Sequence, residues 1–342
     1  MHRLFLKLRD VLERGKRFLI TTHVHPDADA IASELLVRKL LKKRLGKDVV
    51  VINDAEVPGY LKFLPGIEDV RRWGEVSRKF DVAVVLDVGR VERMGRVREA
   101  VEKAECVVNV DHHRSNGGFG DVVIIDTDAS STGELLYRFM KDVGFEIDRL
   151  DATYVLVAVL TDTGRFSYDN TKPQTLRIAA ELLEYGVNLR DVMNGLYRSC
   201  SREQMALQAR ALASLKTNRD GTVAWVVLRW RDFEETGAHP DDTQEFPEIP
   251  RSLRGVKIGF YVRELQDGRV KVSLRSNCGL DLNRFAVAYG GGGHKAAAGI
   301  TFSGMSLEET ERFVVGEIEE WLRRGGYVKP VSYTHLTLPT KA

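Results

Sequence analysis

Asp111, His112 and His113 follow the apolar run Cys106-Val107-Val108-Asn109-Val110, so three potential metal ligands stand where a buried strand meets its loop. Alone, Asp-His-His also describes a capped turn or a surface pair. Three other features give it company. His23 is followed by Asp27 and Asp29 in a loop stiffened by Pro26, Asp87 ends a second apolar run, and Asp162 ends a third. Asp27 and Asp29 also suit the start of the helix that follows, but a cap needs one carboxylate, not two alternating ones behind histidines. Asp162 leaves the end of a very apolar helix, where an unpaired carboxylate is costly, so a cation is expected beside it. Four carboxylates and at least two imidazoles make an oxygen-rich donor set that suits Mn2+ or Mg2+ and is poor for structural zinc. Two such ions activate water and steady both oxygens of an in-line displacement at phosphorus, so phosphate-ester hydrolysis is the chemistry indicated.

The elements that must position these groups read as an α/β fold. An amphipathic helix stops at Gly15 and is followed by a strand over 17–22, then by a helix carrying Ile31, Leu35, Leu36 and Leu40. Strands are expected over 47–53, 81–87, 106–111 and 122–126. Several are continuously apolar, as strands buried on both faces are. With helices between them, the pattern predicts a mostly parallel β-sheet with helices on both faces, its ligand sites gathered outside the carboxyl ends of the strands. Helices are expected over about 131–143 and 151–160. His25 is assigned a supporting or structural role.

The half after residue 190 changes character. Residues 201–217 read as one linking helix, 218–221 as a turn opening a strand over 222–230, and 256–263 with 270–275 as a hairpin in a smaller α+β domain. Its most unusual stretch is Gly290-Gly291-Gly292-Gly293-His294-Lys295, ahead of an Ala-rich segment. Four glycines would free backbone amides to approach an anion while His294 and Lys295 add donors and charge, although such loops also serve as plain connectors.

Composition bounds the function. The 342 residues are 43% hydrophobic and 29% charged, as in a globular protein of two domains, and the net charge is only +2. That balance disfavours a binder of long duplex nucleic acid and leaves room for a local phosphate pocket. Cys106, Cys200 and Cys278 lie far apart without a Cys-x-x-Cys pair, which argues against a zinc ribbon or disulfide framework and fits a reducing cytoplasm. No signal peptide, anchor or membrane contact is expected. Residues 331–342 show no periodicity tied to what precedes them and read as a non-native tail, which removes His335 as a ligand.

His23-x-x-x-Asp27-x-Asp29, Asp87, Asp111-His112-His113 and Asp162, in that order, resemble the four motifs of the DHH phosphoesterase superfamily. Gly290 to His294 with Ser273-Leu274-Arg275-Ser276 resembles its DHH-associated substrate domain. The likeness spans nearly the whole chain, and within the superfamily it is to the branch that trims very short oligonucleotides and 3′-phosphoadenosine 5′-phosphate (pAp). Two departures, Val88-Gly89 after Asp87 and Ala28 for a common glycine, touch no ligand position. The resemblance implies a catalytic metal-binding domain over 1–200, a linker over 201–217 and a substrate-binding domain over 218–328. It implies that His23, Asp27 and Asp87 hold one Mn2+ ion and Asp29, His112 and Asp162 the other, with Asp87 bridging and Mg2+ an alternative. It places His113 at the scissile phosphate as an acid. It assigns substrate contacts to Arg114, Asn116, Arg275, Gly291, Gly292, Gly293 and His294. Arg275 suits a terminal phosphate because a guanidinium binds its oxygens bidentately. The substrates implied are short single-stranded RNA, the linear dinucleotide pApA, or pAp, and a homodimer is left open. Two other readings compete. An inorganic pyrophosphatase of the same superfamily shares the first-domain motifs but lacks the His294 loop. A non-catalytic nucleotide-binding module would not need every ligand position filled.

Overall fold

The computed structural model describes residues 1–74, 78–198, 200–243 and 245–325. The expected tail over 331–342, and residues 326–328 of the expected second domain, lie outside the described residues. The chain divides into two units between Ser199 and Cys200.

The first unit begins with α1 (His2–Arg14), which buries Phe5, Leu8 and Leu12 at helical spacing. It continues with β1 (Arg17–Thr21), α2 (Ala28–Lys39), β2 (Asp48–Asn53), β3 (Val70–Arg72), β4 (Val82–Leu86), the short α3 (Arg98–Val101), β5 (Cys106–Asp111) and β6 (Val122–Ile125). Four helices follow: α4 (Thr132–Asp142), α5 (Arg149–Asp162), α6 (Pro173–Glu184) and α7 (Leu189–Tyr197). The six strands lie in the order β3-β2-β1-β4-β5-β6, and every pair is parallel. β4 is buried at all five positions, which is why it reads as an unbroken apolar run. The larger core lies between this sheet and the helices that include α2, α4 and α5; a smaller one, with Leu19, Ala83, Val85 and Val97, covers the other face. β3 is an addition, since Val70-Arg71-Arg72 is too short and too charged to read as a strand. The strand order reverses between β1 and β4, the point where an open α/β sheet forms its crevice.

The second unit comprises α8 (Arg202–Ala213), β7 (Lys216–Thr217), β8 (Val223–Leu228), α9 (Trp230–Thr236), α10 (Glu248–Arg251), β9 (Ile258–Glu264), β10 (Val270–Ser276), α11 (Leu282–Ala288), β11 (Gly292–Gly293), β12 (Ala297–Phe302) and α12 (Leu307–Arg323). Its strands form one sheet in the order β11-β12-β10-β9-β8-β7. Two expectations need correction. The helix expected over 201–217 ends at Ala213, because Lys216 and Thr217 pair with Trp225 and Ala224 as an edge strand, and Leu207 and Ala211 of α8 pack into this unit's own core. The strand expected to reach Trp230 stops at Leu228, because Asp232 Oδ2 accepts the Arg229 amide at 2.8 Å and starts a helix. No helix among the described residues is long and apolar enough to cross a membrane.

Candidate active site

Asp87 lies just beyond β4 with φ +58°, a left-handed conformation that is unusual for a residue other than glycine and that accumulates at functional sites. Its amide donates to Val110 O at 3.0 Å, which ties it to β5. The carboxylate faces three histidines. Oδ2 lies 3.5 Å from His23 Nε2, while Oδ1 lies 3.5 Å from His112 Nε2 and 3.4 Å from His113 Nδ1. Three potential ligand groups share this residue: one with His23 and Asp27, one with Asp29 and His112, and one with Asp111 and His113. Asp162, at the end of α5, comes within 3.1 Å of His112 Nε2. The site residues come from loops after β1, β4 and β5 and from the ends of α2 and α5, so segments far apart in the chain converge at one sheet edge.

Asp27 has both of the roles open to it. Its Oδ1 caps α2 through the Ala30 amide at 3.1 Å, and its Oδ2 lies 4.0 Å from His23 Nε2. Asp29 is fully buried and accepts the backbone amides of Thr132 and Gly133 at 2.8 and 2.9 Å, at the N-terminus of α4. Thr132 also donates its hydroxyl to Asp87 Oδ1 at 3.1 Å. Gly133 is required here, because a Cβ would fall on the Ala158 methyl. Sequence reasoning missed Thr132 and Gly133; the signal was the capping pattern Ser131-x-x-Glu134, whose orphan amides need an acceptor.

The donor set fits divalent cations. His112 Nδ1 lies 3.4 Å from the Ala129 carbonyl, an acceptor that places a proton on Nδ1 and presents Nε2 to Asp29, Asp87 and Asp162. Burial, together with the charges of Asp87 and Asp162, pushes Asp29 well above the ordinary carboxylate range. Burial likewise raises Asp162, with Asp27 and Asp87 adding to it. For Asp87, burial is outweighed by His113, His112 and His23, which hold it well below that range. Carboxylates so crowded cannot all ionise without positive charge among them, which a bound metal would supply.

Asp111 forms a third group with Asp87 and His113. Its Oδ1 accepts the amides of His112 and His113 at 2.8 and 3.2 Å and lies 2.6 Å from His113 Nδ1. Its Oδ2 accepts from Asn116 Nδ2 at 2.7 Å. Asn116, expected at the substrate, is engaged within the fold: its amide nitrogen also donates to Asn109 Oδ1 and Val88 O, and its Oδ1 accepts from Gly118. Asn116 positions Asp111. Arg114 is exposed, as is His25.

In the second unit the glycine loop and Arg275 both have partners within the fold. Most of the glycine-loop amides have acceptors within the fold: Gly290, Gly291 and His294 donate to the carbonyls of Val287, Ala286 and Ala297, and Gly293 donates to Asn283 Oδ1 at 3.1 Å. The glycines instead permit close strand approach. A Cβ at Gly291 would collide with the Gly299 carbonyl, and Gly293 has φ +147° while pairing with Ala298. Arg275 is not an unengaged clamp. Its Nε donates to Glu248 Oε1 at 2.9 Å and its Nη1 to Leu274 O at 3.0 Å, so a bidentate phosphate grip requires exchange with Glu248. His294 lies between β11 and β12, next to this hairpin in the sheet.

Comparison with known proteins agrees with these motifs. The family model described as DHH family, N-terminal domain, matches residues 17–161, and that of the DHHA1 domain matches residues 218–324. The chain is 34% identical over 310 residues to the bifunctional oligoribonuclease and PAP phosphatase NrnA of Thermus thermophilus, covering 90% of this chain and 91% of the other. This chain belongs to the DHH family. As a DHH-family protein it is also 25% identical over 300 residues to the NrnA of Bacillus subtilis, covering 86% of this chain and 92% of the relative. Its fold is similar to that of an exopolyphosphatase-related protein from Bacteroides fragilis, with TM-score 0.87 and 27% identity, covering 95% of this chain and 98% of that one.

Proposed function

We propose that this DHH-family chain is a metal-dependent phosphoesterase that hydrolyses short single-stranded oligonucleotides, the dinucleotide pApA included, and pAp. The observation that carries the reading is the position of Asp87, whose two oxygens face the ligand groups of His23 and of His112. His23, Asp27 and Asp87 would hold one Mn2+ ion and Asp29, His112, Asp162 and Asp87 the other, with Mg2+ as the alternative. Bound there, the ions supply Lewis acidity at the phosphoryl group and activate water.

The chain's own groups do the rest. Helix α4 holds Asp29 by two amides, and Thr132 fixes one oxygen of Asp87, so the ligands are oriented before substrate arrives. Asp111 fixes the His113 ring through Nδ1 and leaves Nε2 as the atom that gives its proton to the leaving oxygen. His294 and Arg275 serve a substrate phosphate, with Arg275 released from Glu248. The three free cysteines suit a reducing cytoplasm.

The test is a product assay over pAp, pApA and di- to pentanucleotides, with each metal and after chelation. Cleavage of pAp or of the shortest oligonucleotides, lost on chelation and restored by Mn2+ at least as well as by Mg2+, is the expected result. Turnover that survives thorough chelation, or hydrolysis of none of the panel, would sink the reading. The alternative pyrophosphatase activity is scored by including inorganic pyrophosphate.

A further inference from the structure

In the second unit's sheet, Lys271 of β10 pairs directly with Arg263 of β9, so two cationic side chains leave the same face side by side. Like charges directly opposite each other on antiparallel strands are destabilising. Among the described residues no carboxylate lies within ion-pair distance of either, and Lys271 makes no hydrogen bond through its side chain. Arg263 is held in place by the carbonyl of Pro240 and by Thr243 Oγ1 at 3.0 Å, both on Nη1, one nitrogen of a guanidinium that carries five N–H donors. Burial and then the charge of Arg263 push the Lys271 ammonium down to about 8, and Asp241 opposes them only in part. A phosphate between the two side chains would relieve both effects.

The pair is in line with the rest of the strand. Lys271, Ser273 and Arg275 are half-buried on one face of β10, while Val270, Val272, Leu274 and Ser276 are buried on the other. Four residues at ~3.3 Å each place Lys271 about 13 Å from Arg275 along the strand. Stacked nucleotides rise ~3.4 Å apiece, so roughly four of them span that distance. A cavity of about 410 Å³ opens at Arg263, walled by Trp230 and Phe233, whose rings stack at 5.7 Å. Such a wall accepts any base, since every base has a π-face. The carboxylates that also line it are engaged: Glu264 accepts the Trp230 amide and Asp267 pairs with Arg269.

We propose that Arg263 and Lys271 form a second phosphate subsite, engaged only by oligonucleotides longer than a dinucleotide, with the Trp230 cavity receiving a base. The proposal rests on the oligonucleotide reading above, but its test does not depend on turnover. Binding of 5′-phosphorylated RNA dinucleotide and pentanucleotide to the full chain is measured by fluorescence anisotropy over a range of salt, with chelator present. In Lys271→Met, pentanucleotide affinity should fall several-fold and the slope of log K against log salt should shrink by about 0.7, one phosphate contact on a single strand. Dinucleotide binding should be unchanged, and Lys271→Arg should restore the slope. Equal slopes in Lys271→Met and the parent, or equal losses on both lengths, would overturn the proposal. If the parent hydrolyses no member of the oligonucleotide panel yet shows the length-dependent slope, the activity reading fails and the subsite stands.

Discussion

His113 Nδ1 lies 2.6 Å from Asp111 Oδ1 and 3.4 Å from Asp87 Oδ1. Asp111 is thereby a positioning residue for His113, itself held by Asn116. Asp111→Asn should lower kcat about 10- to 100-fold, the usual cost of losing a group that orients a working imidazole, with metal content unchanged. Asn116→Ala should act in the same direction more weakly. Metal analysis alongside the kinetics decides the matter: loss of bound metal in Asp111→Asn would make Asp111 a ligand instead.

Asp87 belongs to the ligand groups of both His23 and His112, whereas His23 belongs to one. Asp87→Ala should therefore bind neither ion well and lose activity by a factor on the order of 10² or more, the scale of losing one preorganised electrostatic group. His23→Ala should retain more of its metal and more of its rate. Equal metal content and equal rates in the two variants would remove the bridging role.

The parallel sheet was legible because its strands are buried on both faces and so read as unbroken apolar runs, and because acids mark their carboxyl ends. Asp87 and Asp111-His112-His113 stand at those ends, which is where their spacing drew notice. What stayed hidden were contacts made across long sequence separations, such as α4 amides on Asp29 and Asn116 on Asp111, since nothing local to Asp29 announces Thr132. Glycine spacing around 290–293 was ambiguous because an amide available to an anion and one committed to a neighbouring strand have the same sequence.

That ambiguity has a direct test. With the Gly299 carbonyl where a Cβ would fall, Gly291→Ala should destabilise the second unit by about 1–3 kcal/mol, as overpacking does. Thermal unfolding and hydrogen exchange over β11 and β12 should report it without ligand. A variant with parent stability and only a raised KM would return the glycine loop to an anion-binding role.

Glu34 is buried in α2, where its Oε2 accepts from Asn53 at 2.8 Å, and burial pushes its carboxyl up to about 8. Unfolded, it titrates near the model-peptide value of ~4.3. Below that value both states are protonated and Glu34 costs nothing; from there to about 8 the unfolded state alone releases the proton, so stability falls as pH rises, and above about 8 the loss is complete. Glu34→Gln, which keeps an acceptor for Asn53, should therefore gain Tm relative to the parent between pH 5 and pH 8. Parallel Tm curves over that range would show that Glu34 is already ionised in the fold.

Arg275 and Glu248 form an ion pair with side-chain exposures of 20% and 26%, so a substrate phosphate at Arg275 must compete with a carboxylate already in contact with it. Glu248 also receives Arg251 Nη1 at 3.0 Å, but Arg251 keeps Asn277 through its Nε at 2.7 Å, so the hairpin retains a tie when the carboxylate is removed. Glu248→Gln should lower KM for 5′-phosphorylated dinucleotides about two- to fivefold, the worth of a partly exposed ion pair. Arg275→Ala should raise KM on the same substrates, and neither change should affect a nitrophenyl phosphodiester, which offers the second unit no terminal phosphate. If Glu248→Gln instead raises KM along with Arg275→Ala, the carboxylate is holding the guanidinium in its binding position, and the two residues act together rather than in competition.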